Sequence, residues 1–372
     1  MALNSTPDAW TRGRGAVKVI DADAHVIEID ETWEYMDPSE RDYKPGVAYQ
    51  TLETGEVIKY WVIDGRAIRT AWPGGGGQGE FGLFIGNVAL PTESKFMLDV
   101  QARLHHMDEL GTDVQVLFPS MWTGPITTNP KEEVAICRSY NRWMADIHAQ
   151  GKGRFKWAAV VPVLALHEAE AQLRFAKDNG AVAVNLRGVE AGNHLINDPY
   201  LFPLFELAGE LDMPICPHSG TGSFEIDNIF GSPLTAFERN KFSGLSAFHT
   251  LMMTGLAARF PRTKWGMIEF SADWLPYLLN DLRRRVERRG GQMDGRPLAD
   301  NNIWVTIQLN DDLEQIYRYV GDDRLVIGTD YGHADSATEV NALNVFQDDE
   351  RMSAASRERI LDANPRALYA LE

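Results

Sequence analysis

Cysteine, basic charge and long apolar runs are all in short supply. Only Cys137 and Cys216 occur in 372 residues, too few for a disulfide framework or a thiolate zinc site. No apolar run reaches the roughly 18–20 residues of a membrane span, and residues 1–18 lack the apolar core of a signal peptide. Lys and Arg number 36 against 53 Asp and Glu, giving a net charge of −17. So acidic a surface repels phosphate backbones and anionic lipid, which argues against nucleic acid or membrane as a partner. Anionic small molecules stay open, because a bound dication and local arginines dominate the field inside a pocket. The expectation is a cytoplasmic, soluble protein whose partner is a small molecule.

Buried Val/Ile-rich runs alternate with amphipathic segments along the chain. The strands expected are 18–23, 114–118, 155–163, 182–186, 214–218, 264–269, 303–308 and 325–330. Helical spacing covers 94–110, 131–150, 166–179, 201–211, 243–260, 274–289, 312–320 and 351–371. Eight such units argue for an α/β fold, a single (β/α)8 TIM barrel spanning 1–372. A doubly wound sheet is weaker, since no G-x-G-x-x-G follows the first strand. Residues 29–92 break the alternation. They include a hairpin-like run at 60–69 with Asp64-Gly65 as its turn, then a glycine tract at 74–77. This segment reads as an insertion after the first strand, either a lid over the catalytic face or a surface decoration.

Three acid–histidine signatures sit at strand ends: Asp21-Ala22-Asp23-Ala24-His25, Pro217-His218-Ser219-Gly220 and Gly328-Thr329-Asp330-Tyr331-Gly332-His333. In the first strand Asp21, Asp23 and His25 fall at alternate positions and so share one face. The C-terminal ends of barrel strands form the catalytic mouth. One divalent ion there would be held by His25, His218 and Asp330, with Asp23 as a fourth or weaker ligand. Such a set of His and carboxylate suits zinc, manganese or iron.

Glu269 ends the sixth strand and is placed to act as a general base beside that ion, or else to pair with Arg187. Arg187 closes the fourth strand, where a guanidinium would clamp a substrate carboxylate. Trp122 follows the second strand as an apolar wall for the substrate, and His333 is a substrate-contact candidate. His249 reads either as a catalytic imidazole or as a core-edge residue of its helix. The neighbours His105 and His106 read as solvated, and the run 283–289 as an exposed basic face that could meet a partner subunit.

Taken together, IDADAH at 20–25, RLHHMDELGTDVQVLFPS at 103–120, SYNRWMADI at 139–147 and WAAVVPV at 157–163 carry a family resemblance. So do PICPHSG at 214–220, ARFPRTKWGMIEF at 258–270, VIGTDYGH at 326–333 and ILDANPRALYAL at 360–371. From about Val19 to Leu371 the chain resembles the amidohydrolase superfamily. More closely, it looks like the amidohydrolase-related group that includes aminocarboxymuconate-semialdehyde decarboxylase and the resorcylate and carboxyvanillate decarboxylases. The resemblance implies a distorted (β/α)8 barrel, one catalytic zinc or manganese, and a homodimer or higher homo-oligomer. It places the ligands on Asp23, His25, His218 and Asp330. Two positions depart from the family pattern. Asp23-x-His25 replaces a first-strand His-x-His or Glu-x-His, and Glu269 stands where the decarboxylases carry an acid/base histidine. The reading is therefore a metal-dependent hydrolase working through a metal-bound water on a small cyclic or aromatic carboxylate. The alternatives are a non-oxidative decarboxylase and, behind it, an inactive binding protein.

Overall fold

The computed structural model describes residues 18–71, 90–230, 236–333 and 337–372. Its main sheet comprises β1 (Ile20–Val26), β2 (Val114–Pro119), β3 (Phe155–Ala159), β4 (Ala181–Leu186), β5 (Ile215–Pro217), β6 (Trp265–Met267), β7 (Ile303–Ile307) and β8 (Leu325–Ile327). They pair in parallel in chain order, with helices in the intervening connections. The long connections that parallel pairing requires are what the amphipathic segments supply. Past the end of β8 the chain turns back to β1 and closes the ring. His25 N–H donates to Tyr331 O at 2.7 Å, and Asp330 N–H to Asp23 O at 2.8 Å. This is the expected (β/α)8 barrel.

Two apolar clusters follow from the strand alternation. Ile20, Ala22, Val116, Phe118, Ala183, Cys216, Ile268, Trp304 and Val326 pack inside the barrel, with Leu368 and Tyr369 of the C-terminal helix among them. Leu117, Leu186, Val305 and Ile327 belong instead to the cluster shared with the helical layer.

β1 departs from simple alternation. Asp21 pairs with Gln115 but Ala24 with Leu117, so β1 carries one extra residue against β2. Such a bulge flips the facing of everything beyond it. Ile20 and Ala22 lie in the inner cluster, whereas Ala24 and Val26 lie in the outer one. The expectation that Asp21, Asp23 and His25 share a face is thus corrected. Asp21 bonds to Gln115 Nε2 at 3.1 Å, and Gln115 in turn accepts from Arg103 of the helical layer at 2.8 Å.

Other boundaries also shift. β6 stops at Met267 because Glu269 and Ser271 have φ of 65° and 61°, incompatible with an extended strand. The helix expected over 94–110 breaks at Met97 (φ 51°) into Thr92–Lys95 and Val100–Glu109. The helix expected over 351–371 starts at Ala354 and widens into a π turn at Arg359–Ala363 before Asn364–Tyr369.

After β1 comes a three-stranded antiparallel sheet, Gly46–Thr51, Val57–Ile63 and Arg66–Thr70. The hairpin turn is Asp64-Gly65, both at positive φ as a tight two-residue turn demands. Sequence reading missed the first of these strands. Trp61 fastens the sheet by packing edge-on against Trp33, ring centres 5.7 Å apart. At the turn, Asp64 accepts from Thr128 N–H and Oγ1 at 3.0 and 2.6 Å. The glycine tract at 74–77 lies outside the described residues.

Candidate metal centre

Asp23, His25, His218 and Glu269 bring one ligating atom each within 4.8 Å of one another at the strand ends. A second grouping joins His25 and Glu269 to Asp330 and His333. The four residues named from the sequence as ligands are therefore divided between two overlapping groups that share His25, and Glu269 belongs to both.

Local backbone chemistry explains each placement. The bulge turns Asp23 inward, and Asp21 Oδ1 accepts the Asp23 N–H at 3.4 Å. His218 extends β5 through its N–H to Leu186 O at 2.8 Å. Its Nδ1 is 3.1 Å from Ser219 O, a carbonyl that can only accept, so Nδ1 carries the proton and Nε2 presents a lone pair to the cluster. Glu269 N–H donates to Thr306 Oγ1 at 2.7 Å, and Lys241 Nζ to Glu269 O at 2.5 Å, pinning the left-handed turn. In the Gly328-Thr329-Asp330 motif each residue has a separate task. A Cβ on Gly328 would stand 2.4 Å from Asp23 Cβ. Thr329 grips Asp21, and Asp330, at φ 52°, turns its carboxylate to the cluster, where Thr338 Oγ1 donates to it at 2.6 Å.

His25 tests the fit to a metal. It is wholly buried, and neither ring nitrogen makes a hydrogen bond. Yet Nε2 lies 3.5 Å from Asp23 Oδ1 and 3.3 Å from Asp330 Oδ1, while His218 Nε2 lies 3.4 Å from Asp23 Oδ1 and 3.5 Å from Glu269 Oε2. Buried polar nitrogens are normally satisfied. Converging donor atoms, with both His25 nitrogens left without a hydrogen bond, suit a shared cation, and neutral imidazole with carboxylate suits a borderline or hard divalent one.

The electrostatics of the protein groups alone favour the ligating form at His25 and Asp23 and oppose it at His218. Burial holds His25 well below its ordinary pKa, favouring the neutral, ligating ring. Burial works against the Asp23 carboxylate, but His218 and His25 outweigh it and hold that carboxyl well below the usual range. For His218 burial is likewise outweighed, by Asp23 and Glu269, and its pKa rises.

His333 stacks on His25 with ring centres 3.7 Å apart. Its Nδ1 lies 2.8 Å from Asp330 Oδ1 and its Nε2 lies 2.8 Å from Ser120 Oγ. Ser120 spends its single proton on Val26 O at 2.7 Å, so Nε2–H is the donor to it.

A cavity of about 590 Å³ opens onto this cluster, lined by Glu269 and His333, by the loop after β2 and by the inserted sheet. Glu28 also lines it. This residue was not singled out from sequence, because only the fold brings its carboxylate under the Ser120 and Met121 N–H groups, at 3.1 and 2.9 Å. Burial pushes the Glu28 carboxyl up to about 7.

Three sequence candidates lie elsewhere. Arg187 is buried with its donors taken: Nη2 and Nε face Glu190 Oε2 at 2.6 and 3.2 Å, and Nη1 donates to Gly124 O at 2.5 Å. Its ion pair is with Glu190, not Glu269. Trp122 is buried against Tyr140, ring centres 5.0 Å apart, and is absent from the cavity wall. His249 sits in the helical layer 3.6 Å from Asp281 and does not reach the cluster. A fourth correction concerns His106, which is buried with Nδ1 2.6 Å from the Tyr331 hydroxyl, while His105 is exposed as expected.

Buried imidazoles and carboxylates at the C-terminal mouth of a parallel barrel define a metal-dependent (β/α)8 enzyme. The sequence profile of the Amidohydrolase family matches residues 20–371, and the chain belongs to that family. No curated protein matches it significantly. Among solved structures it is similar to an amidohydrolase from Mycobacterium avium subsp. paratuberculosis K-10, with TM-score 0.72 and 17% identity over 96% of this chain and 99% of that one. It is also similar to 5-carboxyvanillate decarboxylase from Novosphingobium aromaticivorans, complexed with manganese and 4-hydroxy-3-methoxy-5-nitrobenzoic acid. There the TM-score is 0.67 and identity 16%, over 99% and 100% of the two chains. A 2,6-dihydroxybenzoate decarboxylase from Rhizobium gives 0.59 and 21%, over 72% and 87%.

Proposed function

We propose that this protein is a metal-dependent hydrolase acting on a small cyclic or aromatic substrate that bears a carboxylate. The observation that carries the reading is Glu269, a carboxylate held inside the metal-ligating cluster, where a water nucleophile needs a proton acceptor. Asp23, His25, His218 and Asp330 would hold the ion, with zinc ahead of manganese. When bound, the ion supplies Lewis acidity and lowers the pKa of water toward about 7. Glu269 takes the proton from the attacking water and returns it to the leaving group. Asp330 and Ser120 clamp His333, which covers one face of His25 and keeps that ring in place. The inserted sheet serves as a cavity wall within one continuous domain. The setting we infer is a cytoplasmic homodimer, with exposed Phe237, Phe242 and Tyr277 offering an apolar face to a second copy.

A second reading is supported by the decarboxylases that share this barrel, one of them complexed with manganese. In that case Glu269 would deliver a proton to the carbon that loses carbon dioxide. Screening the metal-loaded protein against cyclic amides, esters and hydroxybenzoates separates the two. Solvent 18O in the product supports hydrolysis. Release of carbon dioxide without 18O incorporation overturns it in favour of decarboxylation.

A further inference from the structure

Five cationic side chains line the catalytic cavity: Lys59, Arg66, Arg69, Lys95 and Arg239. Three are engaged by the protein. Lys59 donates to Asp30 at 2.7 Å, the Arg66 guanidinium lies 3.7 Å from the centre of the Phe224 ring, and Arg239 has partners of its own. Lys95 and Arg69 differ, for neither has a hydrogen bond or a carboxylate partner among the described residues. Arg69 is exposed on the inserted sheet, where solvation is sufficient. Lys95 is not so placed.

Lys95 is partly buried, and its contact with an aromatic ring is distant, 5.6 Å from the centre of Phe96. Burial lowers its pKa, and no carboxylate among the described residues acts in the other direction. A surface lysine would keep its ammonium in water, and a structural one would be paired, because drawing an unpaired charge out of water is unfavourable. Lys95 is not paired among the described residues, and its partly covered side chain lines the cavity, where its ammonium still meets solvent. Its backbone is also fixed against the site. The adjacent Ser94 is fully buried, with Oγ 2.7 Å from the Tyr331 hydroxyl, one residue beyond Asp330. A rigid mount and an uncompensated charge facing a ligand cavity are what an anion subsite requires.

We propose that the Lys95 ammonium anchors the substrate's carboxylate, and that Arg69 on the inserted sheet guides the anion toward it. This assigns to Lys95 the role that the sequence expected of Arg187, and it rests on the carboxylate-bearing substrate proposed above. With the reacting group at the metal cluster and an anionic group on Lys95, the preferred ligand carries two polar ends across one ring.

Isophthalate and benzoate, titrated calorimetrically into the zinc-loaded protein, test this, since they differ by one carboxylate. The wild-type protein should bind isophthalate about tenfold or more tightly than benzoate. Lys95→Met should abolish that preference, Lys95→Arg should retain it, and metal content should be the same in all three. Lys95→Gln replaces the Met variant if the latter has a depressed thermal midpoint. A preference that persists in the neutral variants overturns the Lys95 subsite and leaves the substrate reading standing. No preference in the wild-type protein overturns both.

Discussion

Asp21 and Thr329 are joined twice: Thr329 N–H donates to Asp21 Oδ1 at 2.9 Å and its Oγ1 to Asp21 Oδ2 at 2.6 Å. Residues 308 apart in sequence thus fasten the seam between β1 and the chain leaving β8. Asp21 carries the first signature's leading carboxylate yet faces away from the metal cluster. Burial pushes its carboxyl up to about 6, so the group is retained for its hydrogen bonds. Asp21→Ala should therefore destabilise the fold by about 2–3 kcal/mol, leaving buried donors unsatisfied. Asp21→Asn should keep the metal content of the wild type, whereas Asp23→Asn should lose it. Elemental analysis of the two Asn variants decides, and equal loss in both would return Asp21 to the site.

Metal removal should act on stability as well as activity, because the ion binds only the folded arrangement of Asp23, His25, His218 and Asp330. At a free metal concentration of 100 times Kd the gain is about 2.7 kcal/mol. Dialysis against a chelator should lower the thermal midpoint, and added zinc or manganese should restore it. Asp330→Ala protein with an undiminished metal content would falsify the ligand assignment.

Glu269 separates chemistry from metal binding. Glu269→Gln keeps the shape of the side chain and removes its basicity, so turnover should fall roughly 10²-fold. Near-normal metal content is expected. A rate close to wild type would make Glu269 a structural member of the cluster, and loss of metal would make it a ligand.

The eight barrel strands and the positions of His25, His218 and Asp330 at their ends were legible, because strand-end motifs report their own location once the strand order is known. What stayed hidden depended on backbone geometry or on long-range pairing. The bulge in β1 turns Asp23 and His25 to the face opposite Asp21, and no residue type between positions 21 and 24 announces it. The left-handed turn at Glu269 is held by Thr306 from the next strand. Trp122, His249 and Arg187 were plausible by residue type, but their neighbours Tyr140, Asp281 and Glu190 claim them. Lys95 and Glu28 lay outside every motif and became visible only where the fold left one unpaired and buried the other.

Arg187 distinguishes a structural guanidinium from a substrate clamp. Removing one partner of a buried ion pair costs about 3–5 kcal/mol, through the charge left behind. Arg187→Met should accordingly lower the urea midpoint sharply, and Arg187→Met/Glu190→Gln should recover part of the loss. A clamp would instead leave stability intact and raise KM for carboxylate substrates. His249→Ala serves as the control and should change neither quantity appreciably.

Glu133 gives the fold a pH dependence of definite sign. The side chain is buried, accepts the Leu164 N–H at 2.7 Å, and burial pushes its pKa from 4.5 up to about 7. Between those values the folded protein binds a proton that the unfolded chain has released. The stabilisation is therefore complete below about pH 4.5 and is lost as pH rises through 7. The shift corresponds to about 3 kcal/mol at most. Glu133→Gln keeps the acceptor oxygen for Leu164 and cannot ionise. Relative to that variant, the wild-type protein should lose stability between pH 5 and 8, measured as urea midpoints in matched ionic strength. Parallel curves for the two proteins would show that Glu133 does not titrate in this window, and a divergence of opposite sign would mean that its charged form is the one the fold prefers.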